Sequence, residues 1–343
     1  MATIEPPETA RVTRLLLRRP PVAALRWAAA PFGPGSRVVA VRPLPSAWLA
    51  NHAVDVADAA GATHQLVLRR WARPGWDDED PDFNAAREAA VLELLAPTPV
   101  PAPPLVAADP DAAVCDVPAL LLGRLPGRPP DLRDPVALVE GLAAALPPIH
   151  AVAVPAAEGG AGAEGSAEAE GGAGAQEGAR VGGSERPDRS PTTRAVPGYH
   201  RFYEPESLVP PPWSTRPGLW ERAYVVVAGP PPDDHACFIH RDFHPGNTLW
   251  TGGRLTGVVD WIGGSWGPPS VDLGHMRVNL AADLGLAVAD RFLAAHRALT
   301  GFDHHPWWDV ASAVDVAPEM GPAWRGVEDL IAAALARLEG GAG

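Results

Sequence analysis

The chain has 343 residues, which is long enough for one two-lobed enzyme or for two modest domains with a sizeable hydrophobic core. Its formal net charge of −13 argues against nucleic acid or an anionic membrane as the main partner, because both bind basic patches. The two cysteines, Cys115 and Cys237, are far apart in sequence and match neither a disulfide framework nor a zinc-ligand spacing.

Residues 11–19, near the N-terminus, contain a run of three leucines between arginines. This apolar run is too short for the core of a signal peptide and far too short for a membrane span. We therefore predict a short surface helix here, and a cytoplasmic protein without a membrane partner. A transit peptide is the alternative interpretation of the same residues.

Three stretches of the N-terminal part have the composition of strands, at 37–44, 52–58 and 64–70. A turn separates the first two of them. The third ends in Arg69 and Arg70, whose side chains are expected on opposite faces of a sheet because strand residues alternate.

The residues at 84–95 have the apolar spacing of an amphipathic helix. Glu88, Leu92 and Leu95 fall on one face, so the carboxylate of Glu88 points toward the sheet together with the apolar stripe. A carboxylate on the buried side needs a cationic partner, and Arg69 is the candidate. Alternatively, Glu88 lies at the edge of the stripe and reaches water.

A strand predicted at 119–122 is broken at Gly123, and we divide the chain there. We predict an N-terminal lobe at 1–122, a hinge at 123–130 and a C-terminal lobe at 131–343. Within the second lobe, about 156–191 is almost wholly alanine, glycine, glutamate and serine. Such a segment cannot bury a core, so we expect a disordered insert.

The larger lobe is predicted to be mainly helical. A helix at 135–152 opens it, and Pro147-Pro148 is expected to end or kink this helix. Further amphipathic helices are predicted at 283–299 and 326–338.

The most informative stretch is His-Arg-Asp-Phe-His-Pro-Gly-Asn at 240–247, which follows a short apolar run at 236–239. The apolar run is predicted to be a buried strand. Pro245 and Gly246 prevent a helix or a sheet ladder from continuing through the stretch. It is therefore predicted to be a loop that presents polar side chains from a fixed platform.

A hairpin follows this loop, with Gly252-Gly253 as its two-residue turn. Pairing outward from the turn sets Asn247 opposite Val258, so Asn247 and Asp260 share one face at a separation of roughly 7–8 Å. An amide oxygen and a carboxylate at that separation suit a hydrated Mg²⁺ ion, which takes other ligands from phosphate. Asp242, on the adjoining loop, would face the substrate of the same cation.

The loop also has a second interpretation. His240, Asp242 and His244 alternate in the pattern H-x-D-x-H, a spacing that could bind a transition metal on an extended segment. That arrangement would indicate a metal-dependent hydrolase, but it leaves the convergence of Asn247 and Asp260 unexplained.

The loop and the hairpin together resemble a known family. The segment HRDFHPGN is similar to the kinase catalytic loop H-R-D-x-x-x-x-N, and Asp260 is followed by Trp261 where kinases carry D-F-G. With His-Pro-Gly-Asn inside the loop, the pattern resembles the aminoglycoside phosphotransferase family of small-molecule kinases. The resemblance implies that Asp242 accepts the proton of the substrate hydroxyl, while Asn247 and Asp260 hold Mg²⁺ on the nucleotide phosphates.

The same resemblance implies which N-terminal residues contact the nucleotide, ATP or GTP. The chain contains no lysine, so Arg69 takes the place of the strand lysine of kinases and pairs with Glu88. The nucleotide-covering turn lacks the glycines of a G-x-G-x-x-G loop, so phosphate contact falls to Ser46 or Asn51. The backbone at Leu122 to Arg124 would contact the edge of the adenine ring.

The sequence as a whole thus predicts a two-lobed α+β fold of the protein-kinase type, with a small antiparallel sheet and one helix before a mainly helical lobe. Its expected activity is transfer of the γ-phosphate of ATP or GTP, with Mg²⁺, to a hydroxyl of a small molecule. An aminoglycoside or another amino alcohol is the expected acceptor. A non-catalytic nucleotide-binding module on the same fold is the alternative.

Overall fold

A computed structural model of the chain describes residues 8–46, 48–76, 82–153, 196–203, 207–317 and 320–340. The insert predicted at 156–191 lies outside the described residues. Within them, antiparallel β-structure prevails before the predicted hinge and helices prevail after it, which confirms the predicted α+β class.

The longer helices are α1 Glu8–Leu16, α2 Val22–Ala29, α3 Ala85–Leu95, α4 Pro135–His150, α5 Pro217–Ala228, α6 Pro269–Leu284, α7 Leu286–Thr300, α8 Trp307–Val316 and α9 Val327–Gly340. The strands are β1 Arg37–Leu44, β2 Ala50–Ala57, β3 Thr63–Arg70, β4 Leu105–Asp109, β5 Ala119–Gly123, β6 Cys237–Ile239, β7 Thr248–Thr251, β8 Arg254–Val258 and β9 Ser265–Gly267. Strand β1 has the predicted bounds, whereas β4 and β9 were not predicted, because short partners of longer strands carry little pattern of their own.

The N-terminal sheet has five antiparallel strands in the order β1-β2-β3-β5-β4. In its register, Arg69 of β3 lies opposite Asn51 of β2 and opposite Leu120 of β5. Residues directly opposite each other share one face of a sheet, so the side chains of Asn51 and Arg69 are neighbours. Helix α3 packs on this face, and the Asn84 side chain caps it by accepting the Arg87 N–H at 2.9 Å.

Helix α2 packs on the other face of the sheet. Its Trp27 is 9 % exposed and belongs to a core cluster with Val54, Leu68 and Leu121, which are 0 % exposed. Sequence patterns did not indicate α2, because alanine fills much of the segment VAALRWAA and gives a weak contrast between apolar and polar faces.

Helix α4 runs beyond both of its prolines to His150, so Pro147 and Pro148 do not end it, and the predicted alternative of a kink stays a prediction. The physical reason is their place in the last turn. A proline lacks its amide donor but keeps its carbonyl acceptor, and the Ala151 N–H donates to the Pro147 carbonyl at 3.0 Å. The helix therefore closes normally after the prolines.

Helices α6 and α8 pack at close range through Gly274. A Cβ atom built on Gly274 would lie 2.5 Å from Ser312 Oγ and 2.6 Å from the Trp308 carbonyl oxygen. Near it on α6, the fully buried Arg277 donates from Nε to Asp309 Oδ1 of α8 at 2.8 Å. Helix α6 is therefore fixed against α8 both by shape and by a buried ion pair.

The β7–β8 hairpin departs from the predicted register. Thr248, rather than Asn247, lies opposite Val258, so the prediction is wrong by one residue. The pairing shifts inside the hairpin because β8 carries Thr256 as an extra residue, as in a β-bulge. The Asn247 carbonyl still accepts the Val259 N–H at 2.9 Å, which keeps Asn247 beside the end of the hairpin.

No helix in the described ranges is both long and apolar enough to cross a lipid bilayer. The two cysteines, Cys115 and Cys237, are buried and are not joined in a disulfide. Burial raises the pKa of the Cys237 thiol to about 12, so this thiol stays protonated at neutral pH.

The close contact at Gly274 makes a prediction for stability. We expect Gly274→Ala to lower the free energy of unfolding by about 1–3 kcal/mol, because the added methyl group meets the α8 backbone. Gly218→Ala in α5 is the matched control, since a Cβ atom there meets nothing within 4 Å. The control is expected to change stability by less than about 1 kcal/mol, in the favourable direction. Equal urea midpoints for the two variants would contradict the prediction.

Candidate active site

The catalytic-type loop at 240–247 is held by one buried carboxylate from helix α6. Asp272 is 0 % exposed, and its two oxygens accept the backbone N–H groups of His240 at 3.0 Å and of Arg241 at 2.7 Å. Its Oδ2 also lies 3.0 Å from His150 Nε2. Burial acts to raise the pKa of Asp272. The hydrogen bond and charge of His150 have a larger opposite effect, so the pKa of Asp272 lies below its usual value. The loop backbone is therefore fixed to a buried negative charge.

His240 braces the loop from inside. Its Nδ1 accepts the Asp242 N–H at 3.2 Å, and its Nε2 donates to the Val259 carbonyl at 3.0 Å. Both ring nitrogens are thus used within the fold. The described residues contain no group of three or more histidine, cysteine, aspartate or glutamate side chains that could hold a metal. The metal-hydrolase interpretation of His240, Asp242 and His244 is therefore wrong.

Asp242 is the most accessible charged group of the loop, with a side chain that is 44 % exposed. Its Oδ2 accepts the Asn247 Nδ2–H at 2.7 Å, and its Oδ1 lies 3.0 Å from His275 Nε2. Desolvation raises the pKa of Asp242, but the hydrogen bond of His275 and the nearby histidine charges outweigh it, so the pKa lies well below the usual range. The carboxylate is thus ionised and aimed by two N–H donors.

Asp260 lies directly after the hairpin, in a left-handed conformation with φ 67° and ψ 60°. Its side chain is 35 % exposed, and its Oδ1 accepts from Arg69 Nη2 at 2.5 Å. The bond between the Val259 N–H and the Asn247 carbonyl keeps Asn247 and Asp260 on adjoining backbone. The structure thus places Asn247 and Asp260 near each other along the backbone, through a different register, and their joint role as Mg²⁺ ligands stays a prediction.

Arg69 joins the N-terminal sheet to this hairpin. The Nε atom of Arg69 lies 2.6 Å from Glu88 Oε2, and both side chains are buried. Burial acts to lower the pKa of Arg69, but the charges of Asp260 and Glu88 outweigh it and raise the pKa. Burial raises the pKa of Glu88 to about 7, against the opposing charge of Arg69. The expected partnership of Arg69 with Glu88 is therefore present, and Asp260 is a third member.

Ser46 and Asn51 lie on either side of the turn between β1 and β2. The Ser46 hydroxyl accepts the N–H groups of Trp48 at 3.3 Å and of Leu49 at 3.2 Å, so its oxygen closes the turn. Asn51 lies across from Arg69, and its Oδ1 is buried without a hydrogen-bond partner among the described atoms. Of the two, Asn51 is the better placed to share a ligand with Arg69.

Leu122 lies inside β5, paired with Val67 of β3. The amides that follow it are already used, because the Gly123 N–H donates to the Pro104 carbonyl at 2.8 Å and the Arg124 N–H to the Gln65 carbonyl at 3.0 Å. The expected contact of the Leu122 to Arg124 backbone with the adenine edge therefore cannot use these two N–H groups, and it stays a prediction for the other backbone groups. Sheet pairing uses them first, so contact with a base would rely on carbonyl groups or on residues farther along the hinge.

The residues present fit a nucleotide with Mg²⁺. The donors at Asn247 and Asp260 are an amide and a carboxylate, the hard oxygen ligands that Mg²⁺ prefers. The permanently charged Arg69 stands beside them and suits phosphate. The amide group of Asn51 lies on the same sheet face, and its Nδ2–H could donate to a phosphate oxygen.

Sequence reasoning missed two residues that shape this site. His275 lies one helical turn after Asp272 on α6 and reaches Asp242, a spacing of three residues that the sequence could have revealed. Arg87 of α3 donates from Nη2 to the carbonyls of Gly263 at 3.2 Å and Gly264 at 3.3 Å. This second contact joins residues far apart in sequence, and no local pattern indicates it.

The brace at Asp272 makes a prediction. We expect Asp272→Asn to lower the free energy of unfolding by about 2–4 kcal/mol, because the new amide group faces N–H donors where a carboxylate accepted them. Asp303→Asn is the control, since Asp303 is 74 % exposed and pairs with Arg297 at the surface. Urea denaturation of both variants measures the difference, and an unchanged midpoint for Asp272→Asn would contradict the proposed brace.

The sequence profile of the phosphotransferase enzyme family matches residues 40–310, whereas no curated protein sequence matches the chain. The macrolide 2'-phosphotransferase MphH from Brachybacterium faecium is 18% identical, with a TM-score of 0.50 and coverage of 93% of this chain and 93% of that chain. A thermostable mutant of aminoglycoside phosphotransferase APH(4)-Ia, in a ternary complex with AMP-PNP and hygromycin B, is 14% identical. Its TM-score is 0.58, with 92% of this chain and 99% of that chain covered.

These similarities confirm the predicted protein-kinase-like fold. At such low identity the structures speak only for the fold, whereas the family profile spans most of the chain, including the loop, the hairpin and α6. The chain belongs to the phosphotransferase enzyme family, and the resemblance seen in its sequence is confirmed.

Proposed function

We propose that this protein transfers the γ-phosphate of ATP or GTP to a hydroxyl group of a small molecule. The observation that carries the proposal is the carboxylate of Asp242, ionised, partly exposed and bonded to Asn247, close to an ion-paired cluster of Arg69, Glu88 and Asp260. A base, oxygen donors for a cation and a fixed positive charge are the groups that phosphoryl transfer needs.

Each residue has a role in this proposal. Asp242 accepts the proton of the attacking hydroxyl, and Asn247 orients Asp242 through its Nδ2–H while its amide oxygen remains available. Asn247 and Asp260 would hold Mg²⁺, which when bound neutralises charge on the phosphates. Arg69, kept in place by Glu88, adds a positive charge beside the phosphates.

Nucleotide contacts by Ser46, Asn51 and Leu122 complete the proposal. Asn51 shares the Arg69 side of the sheet, which supports phosphate contact by its amide group. Ser46 keeps its O–H hydrogen for donation after its oxygen has closed the turn. Near Leu122, backbone carbonyl groups would contact the nucleotide's base, since the N–H groups of the two following residues already donate to other carbonyls.

We propose an aminoglycoside or another amino alcohol as the acceptor. The structurally similar APH(4)-Ia was solved with hygromycin B, and the similar MphH is a macrolide phosphotransferase. The loop that carries Asp242 also contacts a second acid, Asp315, whose Oδ2 lies 3.4 Å from Arg241 Nη2. Carboxylates near the transferring group favour a substrate with amino groups close to its hydroxyl.

A non-catalytic nucleotide-binding module is the second candidate. The observation in its favour is that Arg69 occupies Asp260 Oδ1 at 2.5 Å, a contact that a bound cation would have to share or replace. Against it stands the joint presence of Asp242, Asn247 and Asp260, which a module without catalysis does not need.

Nucleotide binding is predicted to depend on Asp260. MgATP or MgGTP is expected to raise the melting temperature of the wild type, because a ligand that binds only the folded state stabilises it. At about a hundredfold excess over Kd the gain is about 2.7 kcal/mol. Asp260→Ala should abolish the shift and the exposed control Asp303→Ala should keep it, as measured by thermal shift with both nucleotides. A wild type that gives no shift at millimolar nucleotide would count against the proposal.

Catalysis is predicted to depend on Asp242. Asp242→Asn is expected to bind MgATP as the wild type does and to lose phosphoryl transfer by roughly 10²–10⁴-fold, because an amide accepts no proton. The measurement is single-turnover transfer of labelled γ-phosphate to a panel of amino alcohols and aminoglycosides that includes hygromycin B. Undiminished transfer in this variant would remove Asp242 from the mechanism. Binding without transfer to any acceptor, in the wild type as well, would favour the non-catalytic module.

A further inference from the structure

The first two turns of α6 contact three successive residues of the catalytic loop. Asp272 accepts the N–H groups of His240 and Arg241, as described above. Three residues farther along the same face of the helix, His275 reaches the side chain of the next loop residue, Asp242. One short helical segment therefore holds both the backbone of the loop and the carboxylate that the loop presents.

The contact between His275 and Asp242 is close and sheltered. His275 Nε2 lies 3.0 Å from Asp242 Oδ1, and the His275 side chain is only 12 % exposed. His244 approaches the same oxygen but stays at 3.8 Å, which is beyond a hydrogen bond. The other carboxylate oxygen, Oδ2, receives the Asn247 Nδ2–H at 2.7 Å. Each oxygen of Asp242 thus has one nitrogen within 3.0 Å, Asn247 Nδ2 in a hydrogen bond to Oδ2 and His275 Nε2 in an ion-pair contact with Oδ1.

These contacts orient Asp242 where packing is incomplete. The Asp242 side chain is 44 % exposed, so packing restricts rotation of its carboxylate only in part. A single bond from Asn247 would leave the carboxylate free to turn about that contact. Two bonds on different oxygens fix its plane, and a carboxylate oxygen with one bond keeps a lone pair for the proton of a hydroxyl.

Helix α6 is itself rigid at this point. Gly274, the neighbour of His275, lets α8 approach so closely that a Cβ atom would lie 2.6 Å from the Trp308 carbonyl oxygen. Arg277, two residues after His275, is fully buried and bonds Asp309 of α8 and Asp290 of α7 at 2.8 and 2.9 Å. The position of His275 is therefore set by the packed core of the larger lobe and not by a loop.

We infer that His275 is a positioning residue for phosphoryl transfer, which holds the Asp242 carboxylate in the plane that receives the hydroxyl proton. The inference rests on the proposed function, since it assigns His275 a part in the same reaction. His275 acts through Asp242 and has no part in holding the nucleotide. Its loss should therefore lower the rate of transfer and leave the affinity for MgATP unchanged.

The test compares His275→Ala with His275→Gln, whose side-chain amide keeps an N–H donor at the end of a chain of similar reach. The reaction is phosphate release from MgATP to water, with enzyme in excess, so that no acceptor need be known. For His275→Ala we expect a maximum rate about 30- to 100-fold below the wild type, the size of effect that follows misplacement of a catalytic group. The MgATP concentration at half-maximal rate should change by less than about twofold.

His275→Gln should restore the maximum rate to within about fivefold of the wild type. The control is His235→Ala, because the His235 side chain is 65 % exposed, lies outside this site and should leave the rate unchanged. A full rate in His275→Ala, or a loss in His275→Gln equal to that in His275→Ala, would overturn the inference. A large rise in the half-saturating MgATP concentration would also overturn it, because it would make His275 part of the nucleotide site.

Crystal structures of the wild type and His275→Ala with MgADP separate this inference from the proposed function. Rotation of the Asp242 carboxylate in the variant, with α6 unmoved, is the expected result. A carboxylate that keeps its plane without His275 would overturn the inference whatever the activity. A wild type that releases no phosphate would instead count against the proposed function, and the carboxylate orientation would still decide the role of His275.

Discussion

The fully buried carboxylate of Asp272 is the constraint on which the rest of the site depends. An ionised carboxylate in the interior is costly unless hydrogen bonds surround it, and here two loop amides and His150 supply those bonds. Because those amides belong to His240 and Arg241, the charge can be satisfied only if the loop takes one conformation. Arg241 adopts a left-handed φ of 72°, which the two bonds help to maintain. The position of Asp242 is therefore set by the buried carboxylate of Asp272, which fixes the loop backbone just before it.

The same helix explains how a partly exposed base can be well oriented. Asp242 projects from the fixed loop toward solvent, where packing no longer determines its rotamer. Asn247 and His275 add polar contacts to the two carboxylate oxygens from two sides. Because α6 is anchored by the Gly274 contact with α8 and by buried Arg277, the packed core of the larger lobe fixes the position from which His275 reaches the partly exposed Asp242.

Arg69 has a comparable part in joining the two lobes. A guanidinium group presents several donors in one plane, so a single residue contacts Glu88 through Nε and Asp260 through Nη2. A lysine would offer one compact charge and could not span the two acids in that fixed geometry. Arginine in this place therefore links a helix of the small lobe to the end of the hairpin in the large lobe. It also places a permanent positive charge beside Asp260, the carboxylate proposed to bind Mg²⁺.

The sequence by itself determined the local parts of this protein. The order of strand, loop and hairpin, the partnership of Arg69 with Glu88, and the family followed from residue types and spacings, because these features depend on neighbours within a few residues or on a strong motif. Tertiary structure decided the rest. The extra residue at Thr256 shifted the hairpin register, and sheet pairing used the amides after Leu122. The approach of His275 to Asp242 depends on how α6 packs against the loop. Each of these outcomes arises from contacts between segments distant in sequence, whose geometry is fixed only when the whole core packs.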